Sequence, residues 1–275
     1  MHILFITSTR LGDAVLSTGV LDELLRRYPQ ADFTIACGPV AAGLFAHMPR
    51  RVRTVEMVKR PHNRHWLELW RACRGRRPGR RGAHIGSLLG LDPPPLPVAW
   101  TSAAERAQAR HMLAAGTRWI ALGPTANWDG KIWPAERFVA VFAALRAADP
   151  ALRAVVLYGP GPAERARAAP VLAALPDALD TGGGLSVSQV AAILARCTLF
   201  IGNDSGLMHL AGACGIPTLG LFGRSRAAEY APSGPWARAV VAPGPEGHAA
   251  MEGLGVDEVT RAARELVRER QDAGG

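Results

Sequence analysis

The amino-acid sequence predicts an α/β protein built from two Rossmann-like halves that face each other across a cleft. Short apolar runs typical of buried strands alternate with longer segments of helical periodicity. Turns rich in glycine and proline separate these segments. The series starts twice, near His2 and near Trp119, which indicates two parallel sheets. Ligands of such sheets bind beyond the carboxyl ends of the strands, so we expect the site to lie in the cleft.

The first half contains a βαβαβ series followed by a basic segment. Its predicted elements are strand 2–7, turn 8–13, one helix to about Tyr28, strand 32–37, a short helix around 40–47, strand 53–58, helix 64–73, a basic loop 75–82 and helix 83–89. No further apolar strand follows Cys73. We therefore expect an abbreviated N-terminal domain, with a segment missing from the chain as the alternative.

The second half repeats the alternation after a helix over residues 103–114. Its predicted elements are strand 119–122, helix 134–148, strand 154–158, helix 163–175, a short strand near 178–181, helix 187–196, strand 199–201, a helix that ends at Gly215, strand 218–222, strand 239–241 and helix 256–270. This order predicts an N-terminal domain over residues 1–116, a C-terminal domain over 117–255, and a final helix and tail over 256–275.

The residues from Leu199 to Gly223 form the most complete predicted unit, a strand, a turn, a helix and a second strand. Asp204, Ser205 and Gly206 lie where the helix begins, a place suited to phosphates and sugar hydroxyls. Asp204 and Ser205 are also ordinary N-cap residues, and His209 also fits a satisfied core histidine. From this stretch alone, capping and ligand binding are equally good interpretations.

Two other turns are predicted to reach the same cleft. In the first, Thr125 and Asn127 can form hydrogen bonds, and Lys131 precedes a helix with Pro134 predicted at its first position. A lysine there favours a bound anion, although a solvated loop lysine is the alternative. In the second, Gly159 permits close backbone approach, and Glu164 can accept ribose hydroxyls or balance a helix dipole.

Composition excludes several classes of protein. The turn after the first strand lacks the GxGxxG pattern of dinucleotide dehydrogenases. The four cysteines (residues 37, 73, 197 and 214) form no CxxC pair, so neither a disulfide framework nor a zinc site is indicated. We expect reduced thiols in the cytoplasm, and we find neither a signal peptide nor a membrane-spanning run.

The formal net charge is +9, and arginines are dense between residues 71 and 81. This charge fits nucleic acid, an anionic membrane surface or an acidic substrate, and a genome-wide preference for arginine is the simplest alternative. Aromatic residues make up 6% of the chain and do not interleave with the arginines, which argues against nucleic acid.

Several motifs then occur in an order and spacing that resemble a known family. They are Arg10-Leu-Gly-Asp-Ala-Val-Leu16, Lys131-Ile-Trp-Pro134, Gly159 with Glu164, and Asp204-Ser-Gly-Leu-Met-His209 continuing through Pro217 and Phe222-Gly223. Together they resemble the heptosyltransferase-like glycosyltransferases (glycosyltransferase family 9), which have the GT-B fold. The resemblance covers both halves, and the last motif is the specific one.

The resemblance implies a role for each motif. Asp13 matches the family's catalytic base, which deprotonates the acceptor hydroxyl for attack with inversion, although N-capping is its alternative. Lys131, Thr125 and the amides near Ser205 and Gly206 would neutralise the leaving diphosphate, so that no metal or other cofactor is expected. Asp204 would hold the donor sugar, and Glu164 the ribose. The remaining donor-side residues are Asn127, Gly159 and His209.

The resemblance also implies the substrates, a nucleotide-diphosphate sugar with ADP-heptose expected, and a lipopolysaccharide-core or related glycan acceptor. Arg10, Arg76 and Arg77 are assigned to the acceptor or membrane side, with docking on the cytoplasmic face of the inner membrane. Ala126-Asn127 replaces the paired threonines of one heptosyltransferase subgroup, which leaves another nucleotide sugar open. A non-catalytic nucleotide-binding or interaction module is the alternative from a different class, and a nucleic-acid binder is the third.

Overall fold

The computed structural model describes residues 1–7, 9–58, 90–91 and 93–274. These residues form two β-sheets, one of three strands and one of six, and every neighbouring pair of strands is parallel. Two separate parallel sheets are what the repeated strand–helix alternation predicted.

The first sheet has the strand order β1-β2-β3, with β2 in the centre. The elements around it are β1 (His2–Ile6), α1 (Leu11–Leu16), α2 (Thr18–Arg27), β2 (Asp32–Cys37), α3 (Pro39–Ala42), a 3₁₀ turn (Gly43–Phe45) and β3 (Arg51–Glu56). Phe33 and Ile35 of β2 are completely buried. They pack in one core with Val15 and Leu21 from the two helices.

The predicted single helix to Tyr28 is wrong, because the chain breaks it at Ser17 into α1 and α2. The Ser17 hydroxyl donates to the Ala14 carbonyl at 2.7 Å, and the Thr18 hydroxyl donates to the Val15 carbonyl at 2.7 Å. The Thr18 hydroxyl also accepts the backbone N–H of Val98 at 2.8 Å. Hydroxyl groups that bond back to the preceding turn bend helices, and the Val98 contact fixes the bend.

The second sheet has the strand order β6-β5-β4-β7-β8-β9. Its elements are α4 (Ala103–Met112), β4 (Arg118–Gly123), a 3₁₀ turn (Asp129–Lys131), α5 (Ala135–Ala148), β5 (Leu152–Val156), α6 (Pro162–Ala174), β6 (Leu179–Asp180), α7 (Val187–Leu194), β7 (Leu199–Asn203), α8 (Gly206–Ala213), β8 (Thr218–Phe222), α9 (Ala227–Tyr230), β9 (Ala237–Val241), a 3₁₀ turn (Met251–Gly253) and α10 (Val256–Asp272). From β4 the chain adds β5 and β6 on one side of the sheet, and from β7 it adds β8 and β9 on the other side. The point between these strands is where such sheets bind ligands.

Three predicted positions are corrected within these elements. The strand predicted at 154–158 occupies Leu152–Val156, and the one at 53–58 occupies Arg51–Glu56, because buried apolar residues continue past the last ladder pair. Pro134 is the N-cap of α5 rather than its first helical residue, with φ −53° and ψ 135°. Its carbonyl accepts the N–H of Arg137 at 3.0 Å and therefore starts the helix.

Elements of the two sheets pack directly against each other in two places. In the first place, α7 packs on the 3₁₀ turn Gly43–Phe45 of the first sheet and on α4. There the Glu105 carboxylate accepts the Ser188 hydroxyl at 2.6 Å and lies 3.1 Å from Nε2 of His47. The second contact brings the beginning of α1 against α8. Because α1 follows the turn after β1 and α8 follows the turn after β7, this contact brings the two turns close together.

Some predictions lie outside the described residues. They concern the helices at 64–73 and 83–89, the basic loop at 75–82, Cys73, and the abbreviated N-terminal domain, which depends on the same segment. The other three cysteines are free thiols. No helix among the described residues has the length and apolar character needed to cross a membrane.

Candidate active site

The candidate site lies at the carboxyl ends of β4 and β7, the two central strands of the larger sheet. Asn203 is the last residue of β7, and its side-chain oxygen accepts the backbone N–H of Trp133 at 3.0 Å. The Trp133 indole N–H in turn donates to the Leu254 carbonyl at 3.1 Å. The first hydrogen bond fastens the turn after β4 to the end of β7, and the second fastens it to the segment before α10.

Lys131 and Asp204 form an ion pair between these two turns, with Nζ and Oδ2 2.5 Å apart. The Asp204 side chain is 6% exposed and the Lys131 side chain 22%. The Lys131 ammonium also lies over the Tyr230 ring, 5.6 Å from its centroid. A buried carboxylate depends on its partner, because without it the charge would lie unpaired in a poorly solvated place. The pair therefore fixes the position of a carboxylate and an ammonium group at the switch point.

Neither Asp204 nor Ser205 caps α8 with its side chain. Ser205 is the N-cap residue by backbone position, but it forms no side-chain capping bond. Its hydroxyl is buried and has no hydrogen-bond partner among the described residues. The same holds for Nδ2 of Asn203 and Nδ1 of His209. Buried polar atoms usually have partners, so these three atoms leave unused hydrogen-bonding capacity around the turn.

His209 lies on the first turns of α8 and is buried, with 6% of its surface exposed. Burial lowers its pKa, and Lys131 acts in the same direction, while Asp204 and Asp13 act to raise it. The net effect is a lowered pKa, so the imidazole is neutral at neutral pH. The ring therefore carries no charge into this buried position.

Asp13 reaches the same place from the other sheet. It lies in the first turn of α1 and is exposed, and its charge acts on His209 across the contact between α1 and α8. Arg10 is the N-cap residue of α1 and is also exposed. The first sheet unit thus contributes an exposed carboxylate whose charge reaches the beginning of α8.

The second predicted turn lies after β5. The N–H of Gly159 donates to Oε2 of Glu164 at 3.2 Å, and Arg167 donates to Oε1 at 3.2 Å. Arg167 also donates to the Asp129 carboxylate at 2.9 Å, which connects this turn to the Lys131 turn. Each carboxylate oxygen of Glu164 can accept a further hydrogen bond, so the side chain retains capacity for hydroxyl groups.

The remaining predicted residues are distributed unevenly around the site. Thr125 is buried and Asn127 is exposed on the segment that follows β4. Gly206 begins α8 and contacts α1. Arg76 and Arg77 lie outside the described residues. The described residues contain no group of three or more His, Cys, Asp or Glu side chains able to hold a metal ion.

Three residues of this site were not predicted, namely Trp133, Arg167 and Tyr230. Each of them contacts a residue that is distant in the sequence, as Trp133 contacts Leu254. Trp133 belongs to the Lys131-Ile-Trp-Pro134 motif, so its position in the motif could have indicated it. For Arg167 and Tyr230 the sequence contains no comparable signal.

Two parallel α/β sheets, joined by the contact between α1 and α8, form the architecture of the GT-B class of glycosyltransferases. Residues 83–252 match the family model of glycosyltransferase family 9 (heptosyltransferase). The match covers more than half of the sequence, and the chain belongs to this family. The predicted α/β GT-B fold and the predicted glycosyltransferase class are confirmed.

Solved structures of the family have the same fold. The ADP-heptose lipopolysaccharide heptosyltransferase II of E. coli is 19% identical, with a TM-score of 0.76 over 98% of this chain and 100% of that chain. A family 9 glycosyltransferase from Veillonella parvula is 20% identical, with a TM-score of 0.77 over 98% of this chain and 97% of that one. E. coli heptosyltransferase WaaC, solved with ADP, is 16% identical, with a TM-score of 0.73 over 97% and 100%.

One similar structure is described as containing iron. The dodecameric glycosyltransferase TibC of E. coli is described as iron-containing, and it is 17% identical with a TM-score of 0.58, over 98% of this chain and 79% of that chain. The search of curated proteins found no match.

Proposed function

We propose that this chain is an inverting glycosyltransferase that transfers a heptose from ADP-heptose to a lipopolysaccharide-core or related glycan acceptor. Membership of family 9 supports sugar transfer. Similar structures are named for ADP-heptose and were solved with ADP, which supports this donor. The observation that carries the proposal is the ion pair between Lys131 and Asp204 at the switch point, with Asp13 brought beside it from the other sheet.

The donor diphosphate fits between Lys131 and the beginning of α8. One proton of the Lys131 ammonium is donated to Asp204, and two remain available for phosphate oxygens. The first amides of α8 and the buried hydroxyl of Ser205 provide neutral donors and a positive dipole end at the same place. These groups stabilise the charge that develops on the diphosphate as it leaves, and we propose that they do so without a bound metal.

The sugar and the ribose lie on either side of the diphosphate. Asp204 accepts hydroxyl groups of the sugar with its second oxygen, since Lys131 bonds only Oδ2. Glu164, held by Gly159 and Arg167, accepts the ribose hydroxyls. Thr125 and Asn127 line the donor side from the segment after β4.

Asp13 is the general base of the proposed reaction. It takes the proton of the acceptor hydroxyl, whose oxygen forms a bond to the anomeric carbon on the face opposite the diphosphate. The bond from that carbon to the diphosphate oxygen breaks, and ADP leaves with the electron pair. The configuration at the anomeric carbon is therefore inverted.

The acceptor is proposed to be an anionic glycolipid at the cytoplasmic face of the inner membrane. Exposed Arg10 lies next to the proposed base, and the formal net charge of +9 favours an anionic surface. Arg76 and Arg77 are assigned to this side from the sequence alone.

The first experiment is a thermal shift assay of the purified protein with ADP, GDP, UDP and TDP, each with magnesium and with EDTA. A ligand at 100 times its Kd stabilises by about 2.7 kcal/mol. For a chain of this size, that raises Tm by roughly 5–11 °C. We expect ADP alone to produce this shift, equally with EDTA. A shift with a different diphosphate would assign a different donor, and no shift with any would contradict donor binding.

A transfer assay with ADP-heptose and a deacylated core acceptor then tests the reaction. Inversion is read from the anomeric configuration of the product by NMR. Retention of configuration would contradict the proposed role of Asp13.

A further inference from the structure

We propose that the contact between Gly12 and His209 is the stop that sets the position of the base Asp13 relative to the donor turn at Asp204. This inference rests on the proposed function, because it assigns a positioning role to residues around the proposed base. Position 12 must be glycine, because the ring of His209 occupies the space that a side chain at position 12 would need.

The distances between the two helices carry the argument. A Cβ atom added to Gly12 would lie 2.8 Å from Cδ2 of His209 and 3.8 Å from the Cα of Gly206. A Cβ atom on Gly206 would lie 3.0 Å from the side chain of Leu11. Each helix thus contributes one glycine, and the space of its missing side chain is filled by a side chain of the other helix, His209 beside Gly12 and Leu11 beside Gly206.

The His209 side of the contact is rigid. Its helix, α8, packs between β7 and β8, and its middle residues Met208, Leu210 and Ala211 are completely buried. At its far end, a Cβ atom on Gly212 would lie 2.4 Å from the carbonyl oxygen of Ser233, so the helix has no room to move in that direction. The His209 ring is itself buried, with 6% of its surface exposed.

Helix α1, which contains Gly12, is the partner in this contact that can move. Helix α1 has six residues and is separated from α2 by the break at Ser17. Asp13 is its third residue and directly follows the contact. A larger residue at position 12 would therefore push α1 outward and carry the Asp13 carboxylate with it. Misplacing a reacting group by about 1 Å costs roughly 100-fold in rate.

The test compares Gly12→Ala in two backgrounds, the parent and His209→Ala. In the parent we expect kcat to fall roughly 100-fold, with the donor KM and the ADP-induced rise in Tm changed less than about 3-fold. In the His209→Ala background the ring is absent, so the same substitution should lower kcat less than about 3-fold. This rescue separates a steric stop from general damage to the helix.

Gly43→Ala is the matched control. Gly43 also lies in the first sheet unit and faces α7, but its added Cβ atom would be 3.5 Å from the nearest atom, an ordinary contact. We expect its kcat to equal that of the parent. Equal losses from Gly12→Ala in both backgrounds, or no loss in the parent, would overturn the proposed stop.

A stability measurement keeps the inference testable apart from catalysis. Gly12→Ala should lower Tm by a few degrees in the parent and not in the His209→Ala background. If Gly12→Ala does not fold, folding of the double variant supports the stop, and failure of both overturns it. If Asp13→Asn transfers sugar as well as the parent, the assigned base is wrong, while the Tm comparison still decides whether the contact exists.

Discussion

Replacing Lys131 with alanine removes the partner of a carboxylate that is 6% exposed. Breaking a buried ion pair from one side costs about 3–5 kcal/mol. Because the Lys131 side chain is 22% exposed, we expect the lower end of that range, about 3 kcal/mol. For a chain of this size this corresponds to a fall in Tm of roughly 6–12 °C. The same variant should lose the rise in Tm with ADP, because the ammonium is the proposed diphosphate ligand.

The assay is thermal unfolding of three variants with and without ADP. The matched control is Arg118→Ala, which removes a cation from the opposite end of β4, where Arg118 pairs with Asp149 at 2.5 Å and is 54% exposed. Arg118 is 54% exposed and Asp149 is 19% exposed, so this pair is better solvated than the Lys131 pair and the control should lower Tm less. Lys131→Ala with Asp204→Asn should recover most of the lost stability, since no unpaired charge remains.

Two outcomes would refute this reasoning. If Lys131→Ala lowers Tm no more than Arg118→Ala does, the ion pair does not stabilise the turn. If the Lys131→Ala variant keeps the full response to ADP, the ammonium does not contact the diphosphate.

Three further predictions follow from the same contacts. Asp13→Asn should lower kcat by roughly 10²–10⁴-fold without changing the ADP-induced shift in Tm, and unchanged transfer would exclude it as the base. Burial acts to raise the pKa of Glu105, but hydrogen bonds from Ser188 and its other partners outweigh burial and lower the pKa below 4.5. The ionised Glu105 should therefore stabilise the fold fully above pH 4.5, and this stabilisation should be lost as the pH falls through the lowered pKa. Urea unfolding between pH 3 and 6 checks this, and Glu105→Gln should flatten the profile there. Gly183→Ala should destabilise the protein by more than about 1 kcal/mol, because Gly183 has φ +68° and its added Cβ atom would lie 2.6 Å from a carbonyl oxygen. Gly255 has open space around it, so Gly255→Ala should not destabilise the protein by this amount.

The unit from Leu199 to Phe222 could be predicted well from the sequence. Its strands and its helix are bounded by local signals, namely short apolar runs, Gly215 and Pro217. Gly215 has φ +72°, the conformation that ends a helix and that glycine adopts most easily. Since these signals act within a few residues, a single sequence contains them in full.

The break at Ser17 could not be predicted in the same way. Apolar periodicity continues through it, and the bond from Val98 that fixes it comes from 80 residues away. The position of Pro134 is a similar case, because proline fits both the N-cap and the first helical position. A tertiary contact fixed the helix break at Ser17, and the backbone dihedral angles of Pro134 fixed the start of α5.

The candidate site was predicted as a set of residues and not as a set of contacts. Lys131 and Asp204 were both assigned to the cleft, but their pairing across 73 residues was not foreseen. The support that Trp133 and Arg167 give to the site was also missed. The roles of the individual residues remain predictions, which the experiments above test.

The hydrogen bond from Trp133 to the Leu254 carbonyl has a consequence for building hybrid enzymes. Arg137 donates to the same oxygen, so one carbonyl near the start of α10 holds both the motif turn and the helix that follows it. A crossover that exchanges the C-terminal helix between family members therefore also exchanges an anchor of the donor turn. Hybrids should keep Trp133, Arg137 and Leu254 from a single parent.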